Sequence, residues 1–140
     1  MLRLLSLSLS VVVLIALGCA DSGPKRYRIS GEVKVDGTPI PFGEVIFTPD
    51  AKQKNSGSQG KATIKDGRFD TDSAGGFGIG GGPTIVRVNG MSGPGGKTLC
   101  EYETILDLPQ QSSTKDIVVP GKDANNANPK GAGKPAAPEI

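Results

Sequence analysis

Histidine is missing from this chain of 140 residues, and so is tryptophan. Without His, neither a Ser-His-Asp nor a Cys-His catalytic arrangement can form within one chain, nor can a His-ligated zinc site. Aromatic residues are few: Tyr27, Phe42, Phe47, Phe69, Phe77 and Tyr102. With 36% apolar residues a core can form, but a thin one, and a domain of about 100 residues buries well under three-quarters of its unfolded surface. Charge is also scarce in net terms. The chain has 16 basic and 14 acidic side chains, a net +2, and Arg3 is the one charged residue among the first eighteen, so without them the net charge is +1. A nucleic-acid partner needs a concentrated basic face, which this composition does not provide. No stretch carries a helical period. Glycine (21) and proline (11) are plentiful but show no G-X-Y repeat, so they mark turns between short strands and not a collagen helix.

The first residues read as an export signal. Met1-Leu2-Arg3 is a short positive start, and Leu4 to Leu17 is apolar apart from Ser6, Ser8 and Ser10. Gly18-Cys19 follows as a small-residue cleavage site. The apolar run is shorter than the roughly 20 residues a bilayer-spanning helix needs. Ile15-Ala16-Leu17-Gly18-Cys19 resembles the lipobox of bacterial lipoproteins, with Ala16 and Leu17 in the reverse of the usual order. The resemblance implies that the thiol of Cys19 takes a diacylglyceryl group and that the chain is cut before it. It implies an amino terminus that is often acylated as well, as with palmitate. Two or more acyl chains give stable anchoring where one gives only weak binding. In the Gram-negative sorting rule Asp directly after the cysteine marks the inner membrane. Here Ala20 follows and Asp comes at Asp21, which points to the outer membrane.

After a polar spacer the period becomes two. Tyr27, Ile29, Val33 and Val35 alternate with Arg28, Ser30, Glu32 and Lys34, the pattern of a half-buried strand. Asp36-Gly37-Thr38-Pro39 is a turn. Further strands are expected at Glu44–Thr48, Gly60–Lys65, Arg68–Thr71, Thr84–Val88, Glu101–Leu108 and Lys115–Val119, with Val33, Phe47, Ile64, Val86 and Val88 in the core. Asp66-Gly67 between alternating segments predicts a tight hairpin. Pro49–Ser58 and Ser73–Pro83 are expected to be surface loops, and removal of residues 75–82 from the second is expected to disturb association while sparing the fold. The expected architecture is all-β: a seven-stranded Ig-like or prealbumin-like β-sandwich after a cleaved signal peptide. The segments are a signal peptide at 1–18, a lipidated tether at 19–26, the sandwich at 27–121 and a disordered tail at 122–140, which has almost nothing to bury.

Tyr27-Arg28-Ile29-Ser30-Gly31-Glu32-Val33, Asp36-Gly37-Thr38-Pro39-Ile40 and Val45-Ile46-Phe47-Thr48-Pro49 together resemble the opening of carboxypeptidase-regulatory-like domains. These are also called transthyretin-like or prealbumin-like. Leu106-Asp107-Leu108-Pro109 and Ser113 to Pro120 resemble the end of small lipoproteins of planctomycete-type bacteria. The resemblance spans about Tyr27 to Gly121 and departs most in the glycine-rich middle, with Pro83-Thr84 where Lys-Tyr is usual. It implies a seven-stranded sandwich and no peptidase activity, since the family name refers to an accessory domain.

Four groups of residues invite a chemical reading. Gly76-Phe77-Gly78-Ile79-Gly80-Gly81 fits G-x-G-x-x-G, but Pro83 and a strand follow where a dinucleotide site needs a helix N-terminus. Asp66, Asp70 and Asp72 offer oxygen ligands without EF-hand spacing. Cys100 is the thiol left once Cys19 is acylated, and it has no evident base to activate it. Paired carboxylates could serve a hydrolase, but the acids fall on turns and strand exteriors. The expectation is therefore a lipoprotein held to the membrane through Cys19, with a non-catalytic module that meets another envelope protein or a polysaccharide. No catalytic residue, cofactor or metal is expected. A small-ligand carrier or sensor, and then a carboxylate hydrolase, are the alternatives.

Overall fold

A computed structural model describes residues 24–73, 76–121 and 124–126. Ten strands run in chain order: β1 (Ile29–Val35), β2 (Thr38–Pro39), β3 (Phe42–Pro49), β4 (Gly60–Lys65), β5 (Arg68–Asp70), β6 (Gly82–Met91), β7 (Thr98–Leu108), β8 (Ser113–Thr114), β9 (Ile117–Val119) and β10 (Asn125–Asn126). They hydrogen-bond in the order β10-β7-β6-β3-β4-β5-β1-β2, and β8 and β9 also pair with β1. The β3–β4, β3–β6 and β6–β7 ladders are antiparallel, whereas β8 and β9 lie parallel to β1, and β10 lies parallel to β7.

Alternation drives this arrangement. In β4, Gly60, Ala62 and Ile64 are buried while Lys61, Thr63 and Lys65 face water. In β6 the buried set is Thr84, Val86, Val88 and Gly90. The inward residues of strands far apart along the sheet meet in one cluster. Ile29 and Val33 of β1 and Ile117 and Val119 of β9 pack with Val45 and Phe47 of β3, Val86 and Val88 of β6, and Cys100 and Leu108 of β7. The sheet therefore curls around its own apolar face. The rings of Phe47 and Phe69 stand 5.8 Å apart, centre to centre, across this core. Each fully buried Val, Ile or Phe side chain contributes about 1.5–3 kcal/mol relative to exposure.

Both Asp-Gly turns form as their chemistry demands. Asp36 and Gly37 have φ of 47° and 80°, and Asp66 and Gly67 have 51° and 76°. Two consecutive positive φ values match the right-handed twist of the flanking strands. The second turn is also tied down, because the Asp66 and Gly67 N–H groups donate to the carbonyls of Pro41 and Ile40, each at 2.8 Å.

Several expected boundaries shift. β6 runs past Asn89-Gly90 to Met91, because the register with β3 continues to Phe42. β7 starts at Thr98, and β2, β8 and β10 are strands beyond the seven expected. Part of the expected loop 49–58 is a 3-10 turn, Ala51–Gln53. It is capped by buried Asp50, whose carboxylate accepts from the Lys52 N–H at 3.0 Å and the Gln53 side chain at 2.9 Å. The tail expectation needs correction at Ala124–Asn126. Ala124 is buried, its carbonyl accepts from the Glu101 N–H at 2.6 Å, and β10 extends the sheet beside Glu101 and Tyr102. An open edge of β7 supplies the backbone partners that a reading of side chains alone misses. The rest of the tail, the signal peptide at 1–18 and the tether up to Gly23 lie outside the described residues.

Candidate functional site

An open trough of about 930 Å³ lies on the outer side of β1, β4 and β5. The outward residues of these strands line it: Ser30 and Glu32 from the first, Thr63 and Lys65 from the second, and Arg68 and Asp70 from the third, with Arg28 just before β1. Thr114 and Asp116 close one side. Antiparallel pairing sets Ser30 opposite Asp70 and Glu32 opposite Arg68, so unlike charges face each other across the ladder.

Arg28, Glu32, Arg68 and Asp70 pair with one another or with Lys34. The Arg28 guanidinium donates to both oxygens of Asp70, with Nε at 2.9 Å from Oδ1. Glu32 receives Lys34 at 2.6 Å and Arg68 at 3.2 Å. The Asp116 carboxylate accepts the backbone N–H of Glu32 at 2.9 Å. The Lys34 hydrogen bond is the main reason the Glu32 carboxyl is held below its ordinary range, and Arg28 does the same for Asp70. A general acid of a glycosidase needs the opposite displacement, upward toward neutrality. The trough thus presents a polar, charge-balanced floor suited to hydrogen bonding.

The three aspartates expected near one turn do not converge on a common point. Asp66 occupies the hairpin turn, Asp70 is engaged by Arg28, and the Asp72 N–H donates to Asp70 Oδ1 at 2.9 Å. Among the described residues, no group of three His, Cys, Asp or Glu side chains stands close enough to hold a metal ion. Cys100 is fully buried in β7, and burial pushes its thiol pKa up, away from the thiolate a nucleophile requires. Cys19 lies outside the described residues. Among those described, no helix is long and apolar enough to cross a membrane.

The glycine-rich segment departs most from expectation. Its described part is stitched into the fold on both sides. Phe77 exchanges backbone hydrogen bonds with Lys61 at the start of β4, at 2.9 and 3.2 Å. Ile79 exchanges them with Tyr27, at 2.7 and 3.0 Å, and its side chain is buried. A β-carbon on Gly60 would stand 2.7 Å from Ile79 Cγ2, so glycine there permits the close approach. The Phe77-Gly78-Ile79 spacing, apolar at every second residue, was the signal available in the sequence. The flanking glycines hid it. Phe77 is 55% exposed, with Lys61 Nζ 5.9 Å from the centre of its ring. Beside it, Arg26 donates to the Gly78 carbonyl at 2.8 Å.

Fold and surface together define an all-β protein whose sheet curls around one core and carries a polar trough on its outer face. The chain matches no protein-family model, no curated protein and no solved structure.

Proposed function

We propose that this protein is a lipoprotein of the cell envelope, anchored through acylated Cys19, that carries a non-catalytic β-sandwich module for contact with another envelope component. The observation that carries the reading is the lipobox-like Ile15–Cys19, set only eight positions before Tyr27, where the folded sheet makes its first backbone contacts. In this reading the curled sheet is a prealbumin-like sandwich, to which β2, β8 and β10 are short additions. The anchor points to the outer membrane, from Ala20 after the cysteine.

Three features support contact without turnover. Glu32 and Asp70 of the trough are paired with cations that hold their carboxyls below the ordinary range, the thiol of Cys100 is buried with its pKa pushed up, and the trough is open, not enclosing. A polysaccharide or a polar protein surface can exchange hydrogen bonds with such a floor. The trough also favours a second reading, a carrier or sensor that holds a small polar ligand there.

The anchor is tested by Cys19→Ser in the full chain. The wild type is expected in the detergent-rich phase on detergent phase separation, and the variant in the aqueous phase. Retention of the variant in the detergent phase would overturn the reading. Turnover of a glycoside, ester or peptide by the purified protein, abolished by substituting one trough carboxylate, would overturn the non-catalytic part.

A further inference from the structure

Three large apolar side chains are exposed among the described residues: Phe77, Leu99 and Val118. Their positions along the sheet differ. Leu99 follows Thr98, which lies in the cross-strand row with Met91, Phe42 and Lys65, four residues along β4 from Lys61. Val118 pairs with Lys34, at the end of β1 remote from Tyr27. Phe77 stands at the opposite end, beside Lys61 and two residues from Ile79, whose backbone is bonded to Tyr27. Tyr27 is where the tether enters the domain. From Cys19 to Tyr27 the chain spans eight peptide units, at most about 28 Å when fully extended. The exposed ring nearest the tether is therefore Phe77.

Its surroundings are cationic. Lys25, Arg26 and Lys61 take part in none of the ion pairs among the described residues, which engage Arg28, Lys34, Arg68 and Arg87. Arg26 lies against the Gly78 carbonyl and Lys61 over the face of the ring. The backbone of Phe77 is fixed by its bonds to Lys61, so presenting the ring to a partner costs little further ordering. A rigid aromatic ring flanked by unpaired Lys and Arg matches a bilayer interface, where the ring sits among headgroups and the cations meet anionic lipid.

We propose that Phe77, with Lys61 and Arg26, is a second membrane contact. It lays the tether end of the domain against the lipid headgroups, with Lys61 on the same outward face of β4 as Thr63 and Lys65 of the trough. The proposal rests on the anchor reading, because the short tether is what confines this patch near the bilayer and raises its effective concentration there.

Because the chain has no Trp, Phe77→Trp gives a single reporter, and Leu99→Trp a control. The full lipidated protein carrying either change is reconstituted into phosphatidylethanolamine–phosphatidylglycerol vesicles, with and without brominated acyl chains. The expected result is that the Phe77→Trp emission shifts to the blue, is quenched several-fold more by brominated lipid than that of Leu99→Trp, and loses most of its quenching by iodide. Adding Lys61→Glu should weaken lipid quenching. If the protein floats with the vesicles but the Phe77→Trp indole stays open to iodide, the contact is wrong and the anchor stands. If the indole is shielded from iodide yet untouched by brominated lipid, a protein surface covers it and the membrane contact is again wrong. If the protein does not float with the vesicles, the anchor and the contact both fall.

Discussion

Gly90 and Cys100 face each other across the β6–β7 ladder so closely that a β-carbon on Gly90 would stand 2.7 Å from the Cys100 sulfur. The same β-carbon would meet two carbons of Ile40 at 3.0 and 3.1 Å. Glycine is held at this position by the volume of its neighbours. Gly90→Ala should destabilise the protein by about 1–3 kcal/mol, the usual cost of overpacking a filled core. A urea titration checks this. Adding Cys100→Ala should recover part of the loss, because contacting sites are not additive.

The buried thiol makes a second, pH-dependent prediction. Desolvation by burial raises the Cys100 pKa, Glu101 adds to the rise, and a backbone hydrogen bond at Gly90 opposes it. The folded state therefore binds the thiol proton more tightly than the unfolded state does. This contribution is fully present below the unfolded pKa and is lost as pH rises through the folded one. Stability should fall above about pH 8.5, and Cys100→Ala should flatten that alkaline limb. Thiol reagents at neutral pH should label Cys100 in denaturant and leave it untouched in the folded protein.

Asp70 behaves in the opposite sense. Its hydrogen bond from Arg28 and that from the Asp72 N–H hold the carboxyl below its ordinary range. Such a group stabilises the fold above its unfolded pKa, near 4, and the contribution fades as pH falls through the folded pKa. Asp70→Asn should therefore leave a shallower dependence of melting temperature on pH below about 4. The Arg28 side chain is 54% exposed, so the effect should be small and should shrink further in high salt.

Gly60→Ala tests whether the glycine-rich segment is structural. The new methyl group would collide with Ile79 Cγ2 and with the Phe77 carbonyl at 2.8 Å. A loss of about 1–3 kcal/mol is expected in thermal or urea unfolding, despite the usual gain from replacing glycine in a strand. Deletion of residues 76–81 should go further and remove cooperative unfolding, because it takes away buried Ile79 and the backbone partners of both Tyr27 and Lys61. A deletion variant that melts like the wild type would return the segment to the status of a surface loop.

The features written in side chains were legible beforehand. Period-two alternation identified the inward faces of β1, β3, β4 and β6, with Val33, Phe47, Ile64, Val86 and Val88 in the core. Asp66-Gly67 announced its turn because the turn's positive φ values restrict residue choice. Features that depend on backbone pairing were not legible. Thr38–Pro39, Ser113–Thr114 and Asn125–Asn126 have no apolar period, and they are strands because a neighbour offers unpaired N–H and C=O groups. Asn89-Gly90 looks like a turn and is strand interior, since Gly90 serves close packing and not chain reversal. The mutual neutralisation across the trough also escaped, because Arg28 and Asp70 lie 42 residues apart and only the β1–β5 register brings them together.

The placement of β1 sets an order of assembly. It is the first strand among the described residues, yet its partners include β9, and the Glu32 N–H bonds to Asp116 across 84 residues of sequence. The β3–β4, β6–β7 and β4–β5 pairs can close early as local hairpins, whereas β1 has no complete seat until the far end of the domain arrives. Contacts of such wide separation cost the most loop-closure entropy and slow folding. Ribosome-bound chains that stop short of Val119 would thus hold β1 without its full set of partners. A strand made near the end of synthesis, β9, acts as the clasp that admits β1.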